Sequence, residues 1–103
     1  MSTESNNTMQ SATKLLRVVE ALSGYAVSGV SNKTLGSGLQ LDNAFITRAM
    51  QTLIEFGWAR KDESSGLFHP TPRMGQVFGR VLNDIAKAER QLADVKHSFS
   101  INN

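Results

Sequence analysis

The sequence predicts a mainly α fold with one small β-hairpin. Three observations carry that prediction. A short helix opened by Ser31 is followed, after a few residues, by an amphipathic helix bounded by Asp42 and Gly57. Two short strand-like runs around Ser64-Ser65-Gly66 come directly after it. From Met74 onward, apolar residues recur at steps that alternate between four and three. Helix, turn, helix and hairpin in this order make a winged helix-turn-helix, here extended by a long C-terminal helix.

Each element follows from local chemistry. Residues 1–10 are dominated by Ser, Thr and Asn and bury too little apolar surface to order themselves, so a flexible tail is expected. The first helix spans residues 11–23, with Ser11 as N-cap and Gly24 as its stop. Ala12, Leu15, Val18, Val19 and Leu22 fall on one face, opposite Lys14, Arg17 and Glu20. Residues 27–30 suit a short edge strand. Ser31 caps a second helix running to Leu39, in which Gly36 and Gly38 lower the propensity by about 1 kcal/mol each. Gly36 is expected to allow close packing against the next helix. Leu39-Gln40-Leu41 forms the turn, and Asp42 caps a third helix that ends at Gly57. Strands are expected over residues 59–62 and 67–70, joined by a turn over 63–66. Trp58 should be core. Thr71-Pro72 opens the last helix, because proline at the first helical position sacrifices no hydrogen bond. The domain boundaries read from this pattern are 1–10 for the tail, 11–73 for the winged domain, and 74–103 for the last helix and a short tail.

Composition narrows the function classes. The chain has 103 residues, 40% of them apolar, with formal charge +2, and its pI is about 9.3. That is one modest core and a mildly basic balance. Residues 1–73 hold seven Lys/Arg against six Asp/Glu, so an anion-binding surface must come from placement and not from bulk charge. The absence of cysteine excludes disulfides, thiol catalysis and thiolate metal sites. No apolar run approaches the roughly 20 residues of a membrane helix, and the N-terminus lacks a secretory pattern. A soluble, cytoplasmic protein is expected, with no membrane partner.

The third helix carries the functional signal. At 100° per residue, Ile46, Ala49, Met50, Leu53 and Gly57 form an inner stripe. Ala44, Arg48, Gln51 and Glu55 form the outer one, flanked by Thr47 and Thr52. Small residues near the N-terminus of the helix permit close approach to base edges. Arg48 has the geometry to pair with guanine, and Gln51 with adenine. Asn43 and Thr47 are short donors for phosphate or base, and a helix N-terminus attracts phosphate. Phe45 lies between the faces, either packed on the second helix or touching a thymine methyl. Arg60 and Lys61 on the first strand could neutralise phosphates or be ordinary solvated charges. Ser64 and Ser65 make a compact tip able to graze the backbone. Double-stranded DNA is therefore the expected partner.

These residues resemble the DNA-binding domain of the IclR family of bacterial transcription regulators. The likeness covers residues 11–79. It rests on Leu15, Val18 and Leu22, on Ser31, Leu35 and Leu39, and on Arg48-Ala49-Met50-Gln51-Thr52-Leu53. It continues through Gly57-Trp58, Arg60-Lys61-Asp62, Gly66-Leu67-Phe68 and Thr71-Pro72-Arg73-Met74. The resemblance implies a transcription regulator. Three departures stand out. Gln40 and Asp42 occupy positions where the family usually has glycine and proline. Ala44 and Phe45 replace small hydroxyl residues, so base readout does not transfer from relatives. No counterpart of the family's effector-binding domain follows, and no small-molecule effector is expected.

The last helix presents Met74, Phe78, Val81, Ile85, Ala88, Leu92, Val95 and Phe99 as a heptad seam. Its 26 residues from Met74 to Phe99 would span about 39 Å, more than a domain of this size can cover. Val77 and Leu82 widen the stripe in the first half, which suits packing on the domain. The second half narrows to the seam, so Ile85, Ala88, Leu92, Val95 and Phe99 are expected to dimerise. A parallel pair would set Asp84 against Glu89, whereas an antiparallel crossing near Leu92 brings Glu89 toward Lys96; the antiparallel form is expected.

No catalytic constellation, phosphate-binding glycine loop or cofactor motif occurs, and an enzyme is not expected. His69 and His97 lack companion ligands and read as surface histidines, so no metal is expected. The expectation is a small dimeric DNA-binding regulator. The alternative is a protein-interaction or phage or mobile-element accessory module that uses the winged helix as a scaffold.

Overall fold

The computed structural model describes residues 8–101. In chain order it contains α1 (Gln10–Leu22), a 3-10 turn (Ser23–Tyr25), α2 (Asn32–Leu39), α3 (Asn43–Phe56), β1 (Ala59–Lys61), β2 (Phe68–Pro70) and α4 (Pro72–Ile101). The fold is mainly helical, with a two-stranded antiparallel hairpin in which Arg60 sits opposite His69. Val30 joins the far side of β2 through one bridge to Phe68, with paired N–H···O bonds of 2.9 and 2.8 Å. The expected edge strand thus contracts to one residue, and Val27 is exposed. Residues 1–7 of the expected tail, and 102–103, lie outside the described residues. Gln10, assigned to the tail, instead opens α1.

Helix ends explain why α2 and α3 sit where they do. The Ser31 hydroxyl accepts from Thr34 N–H at 3.1 Å, and the Asp42 carboxylate accepts from Phe45 N–H at 2.7 Å. Each such cap contributes about 1 kcal/mol. Gly57 ends α3 at φ 89°. Two expected signals in α1 fail. Ser11 lies within the helix, whose N-cap is Met9; Thr13 reaches back to the Met9 carbonyl with both its N–H and its hydroxyl. Gly24 has no left-handed backbone, because the chain tightens into the 3-10 turn and winds on.

The α2–α3 turn is built around Gln40, at φ 57° and ψ 45°. A non-glycine residue in this region costs about 1 kcal/mol. Gly36 is packed close, as expected, but chiefly against the turn. A β-carbon there would lie 2.9 Å from the Leu41 carbonyl oxygen and at an ordinary 3.7 Å from Ile46 Cγ1 in α3.

The core joins Val18, Val19 and Leu22 of α1 to Leu35, Ile46, Ala49, Met50, Leu53, Ala59 and Phe68. Met74, in the first turns of α4, is 2% exposed and completes it. Thr71 anchors the start of α4: its hydroxyl donates to the Gly57 carbonyl at 2.6 Å, and its N–H to Trp58 O at 3.0 Å. Trp58 is half-buried and stacks edge-on between Phe56 and Phe78, with centroids at 5.3 and 5.8 Å. Arg73 and Met74 are adjacent residues in the first turn of α4, on either side of the expected boundary.

His69, expected at the surface, is only 7% exposed. Its Nδ1 lies 3.3 Å from the Ala26 carbonyl oxygen. The ring fits because Gly29, at φ +73°, leaves the space; a β-carbon there would come within 2.6 Å of Nε2. From Val81 to Ser100, by contrast, every residue except Ala86 is exposed. This stem stretches the molecule to 65 × 40 × 22 Å. Among the described residues, no helix is long and apolar enough to cross a membrane.

Candidate nucleic-acid interface

The two faces of α3 separate as its periodicity predicts. Ile46, Ala49, Met50 and Leu53 are buried. Asn43, Ala44, Thr47, Arg48, Gln51 and Thr52 are all exposed on the other side. No acidic residue lies in the first turn of α2 or of α3. The positive ends of both helix dipoles are therefore offset only by the Asp42 cap. Glu55 is the first acid on the outer face, one turn beyond Gln51.

Side-chain contacts refine what each residue can do. Thr47 is less free than the sequence suggests. Its hydroxyl donates to the Asn43 carbonyl at 3.0 Å and accepts from Asn32 Nδ2 at 3.0 Å. It is thus a strut between α2 and α3 that remains exposed. Arg48 has its guanidinium 5.9 Å from the Phe45 ring centroid, and Lys14 Nζ stands at the same distance. Phe45 is half-buried and lies toward α1, lining a groove with Ser11, Ala12 and Leu15. The α2 packing considered for it is not what these contacts describe. The ring instead steadies Arg48 at low entropic cost, since a cation over an aromatic face contributes about 0.5–1 kcal/mol at exposed sites.

Beside the N-terminus of α3 lies a concave notch of about 390 Å³, lined by Asn32, Lys33, Gly36, Ser37, Leu41 and Asn43. It brings Asn43 next to Lys33 and Ser37, which sequence reasoning did not select. A signal was present. Lys33 sits in the first turn of α2, where the helix dipole disfavours a cation by about 0.3–1 kcal/mol. A locally unfavourable charge is a reason to look for an outside partner. Arg17, placed by its spacing opposite the apolar face of α1, donates from its guanidinium to the Leu39 carbonyl at 2.7 Å and helps hold the α2–α3 turn.

The hairpin carries two further cations, of which Arg60 lines a groove with Ser23, Ala26, Met74 and Phe78. Arg60 and Lys61 are exposed on β1, with Lys61 Nζ 5.8 Å from the Phe68 ring centroid. At the tip, Ser64 donates to the Asp62 carboxylate through its hydroxyl at 2.7 Å and its N–H at 2.9 Å. The Ser65 hydroxyl accepts from Leu67 N–H at 3.2 Å. The Ser64 hydroxyl, then its N–H, hold Asp62 below its ordinary pKa of 3.8, with smaller help from Ser65 against a small opposing desolvation. The tip is thus ordered from within, and its carboxylates, Asp62 and Glu63, oppose a close phosphate.

The arrangement offers short donors, a guanidinium and an amide on one protruding helix, with cations on either side. It offers no nucleophile paired with a base. Among the described residues, no group of three His, Cys, Asp or Glu is placed to hold a metal ion. The expected dimerisation residues Ile85, Ala88, Leu92, Val95 and Phe99 lie far along the stem and are exposed. No protein-family model matches this chain, and no curated protein matches it.

Proposed function

We propose that this chain is a sequence-specific double-stranded DNA-binding protein, a small dimeric transcription regulator with an IclR-like reading head. In this reading α3 enters the major groove, with Asn43, Ala44, Thr47, Arg48 and Gln51 toward base edges. Lys33, Arg60 and Lys61 contact phosphates on either side, and the hairpin acts as the wing. One observation carries the reading. The apolar face of α3 is consumed by the core, while its opposite face protrudes with Arg48 and Gln51 and no acid before Glu55. A purely scaffolding helix would have no reason to keep that stretch free of carboxylates.

The alternative, a protein-interaction or accessory module, is favoured by the exposed apolar seam of α4. The two readings part on duplex binding. Selection of bound sequences from a random duplex pool should return an inverted repeat, and binding should weaken linearly in log–log terms as salt rises. Absence of duplex binding at low salt would leave the interaction module as the better reading.

A further inference from the structure

The exposed seam has a size pattern as well as a period. One set of positions, Ile85, Leu92 and Phe99, is large; the alternate set, Val81, Ala88 and Val95, is small. All six are exposed, Phe99 at 70% and Leu92 at 56%. Met74 and Phe78, the earlier seam positions, are already engaged by the core and by Trp58. A covering partner must therefore fit an alternating large–small ridge that begins near Val81.

We infer that the partner is a second copy of α4 packed antiparallel, crossing at residue 90. A parallel, in-register pair would stack like on like. Phe99 would crowd Phe99 of the other copy, Ala88 would leave a void against Ala88, and Asp84 would face Glu89. An antiparallel pair sets each large residue against a small one: Phe99 on Val81, Ile85 on Val95 and Leu92 on Ala88. Interdigitation of this kind fills the layers without strain. Charge alone would centre the crossing near Leu92, to bring Glu89 near Lys96. That register sets Leu92 on Leu92 and Ile85 on Phe99, large against large. Exposed charge pairs contribute little, whereas mismatched layers leave crowding and voids along the seam. The crossing at residue 90 therefore prevails. There Lys96 lays its aliphatic stem beside Leu82 of the other copy, and Glu89 meets Glu89, one like-charge contact against the two Asp84–Glu89 contacts of the parallel pair.

The consequence for the reading head is geometric. Pro72 starts α4 eighteen residues before the crossing. At 1.5 Å per residue, the two heads stand at opposite ends of a rod, with their α4 starts about 54 Å apart. One DNA turn is about 34–36 Å, so α4 starts this far apart would engage inverted half-sites separated by more than one turn. That consequence rests on the DNA reading; the orientation does not.

The cysteine-free chain allows a direct test without DNA. A spin label on Arg80→Cys, an exposed position off the seam, should give an inter-label distance of about 30–35 Å, because twenty residues of rise separate the two labels in the antiparallel pair. A distance below about 20 Å, the width of a parallel pair, or the absence of dipolar coupling would overturn the inference. Mild oxidation of an Ala88→Cys and Leu92→Cys mixture supplies an independent readout. Both residues are exposed in the monomer, so neither change disturbs the head. The mixed disulfide should predominate, and prevalence of the Ala88→Cys homodisulfide would contradict the antiparallel crossing.

Discussion

The head and the stem of this molecule use apolar residues in opposite ways. In the head, periodic apolar positions disappear into one core: Ile46 is 0% exposed, and Val18, Leu22 and Met50 are buried with it. In the stem, an equally regular series from Val81 to Phe99 stays more than half exposed at its large positions. The residue types are the same, so hydrophobicity alone does not tell a core from an interface. What differs is chain geometry. Short connections fold α1, α2 and α3 back on one another, while α4 runs on as one helix of 30 residues whose second half is exposed. The second copy inferred above would cover that face.

The comparison predicts a large asymmetry between two similar truncations. Ile46→Ala should destabilise the head by about 2–5 kcal/mol, seen as a lower denaturant midpoint, because it opens a cavity in a closed core. Leu92→Ala should leave that midpoint unchanged in dilute monomer and act on self-association instead, weakening it about tenfold or more in sedimentation experiments. An equal effect of both on the monomer would erase the distinction between head and stem.

Smaller changes sharpen it. Gln40→Gly should stabilise the head by up to about 1 kcal/mol in chemical denaturation, by relieving the left-handed backbone. No change would mean that the turn holds no strain. Lys33→Ala should weaken duplex binding about equally across sequences and lower the salt slope by roughly one, as expected for one lost phosphate contact. A loss confined to one sequence would place Lys33 at a base. The smallest effect concerns the wing tip. Asp62 is held below 3.8, so its stabilisation is complete above that value and is lost as pH falls through the lowered pKa. Amide exchange at Ser64 should therefore be protected above pH 3.8 and released only in stronger acid. Release at higher pH would show that Asp62 does not organise the tip.

How much the sequence revealed depended on the range of the forces involved. The extent of α3 was legible because Asp42, Gly57 and the inner stripe act within a turn of their own positions. The left-handed backbone at Gln40 was legible only through the family resemblance, in which glycine usually stands at that position. Ser11 and Gly24 misled because a potential cap acts only if the chain turns there. Thr13 extends α1 back to Met9, and the 3-10 turn carries the chain past Gly24. His69 was misread because its burial depends on the space left by Gly29, forty residues away. The Asn32–Thr47 strut and the place of Lys33 beside Asn43 were hidden for the same reason. They depend on how α2 crosses α3, which no local window contains.

The central claim is that the exposed face of α3 reads duplex DNA. It is tested most directly by measuring the affinity of the unaltered chain and of Arg48→Ala for a selected duplex and for a scrambled one, at several salt concentrations. The account predicts that Arg48→Ala loses about 1–3 kcal/mol on the selected duplex and much less on the scrambled one, narrowing the discrimination between them. Equal affinity of both proteins for both duplexes would contradict it.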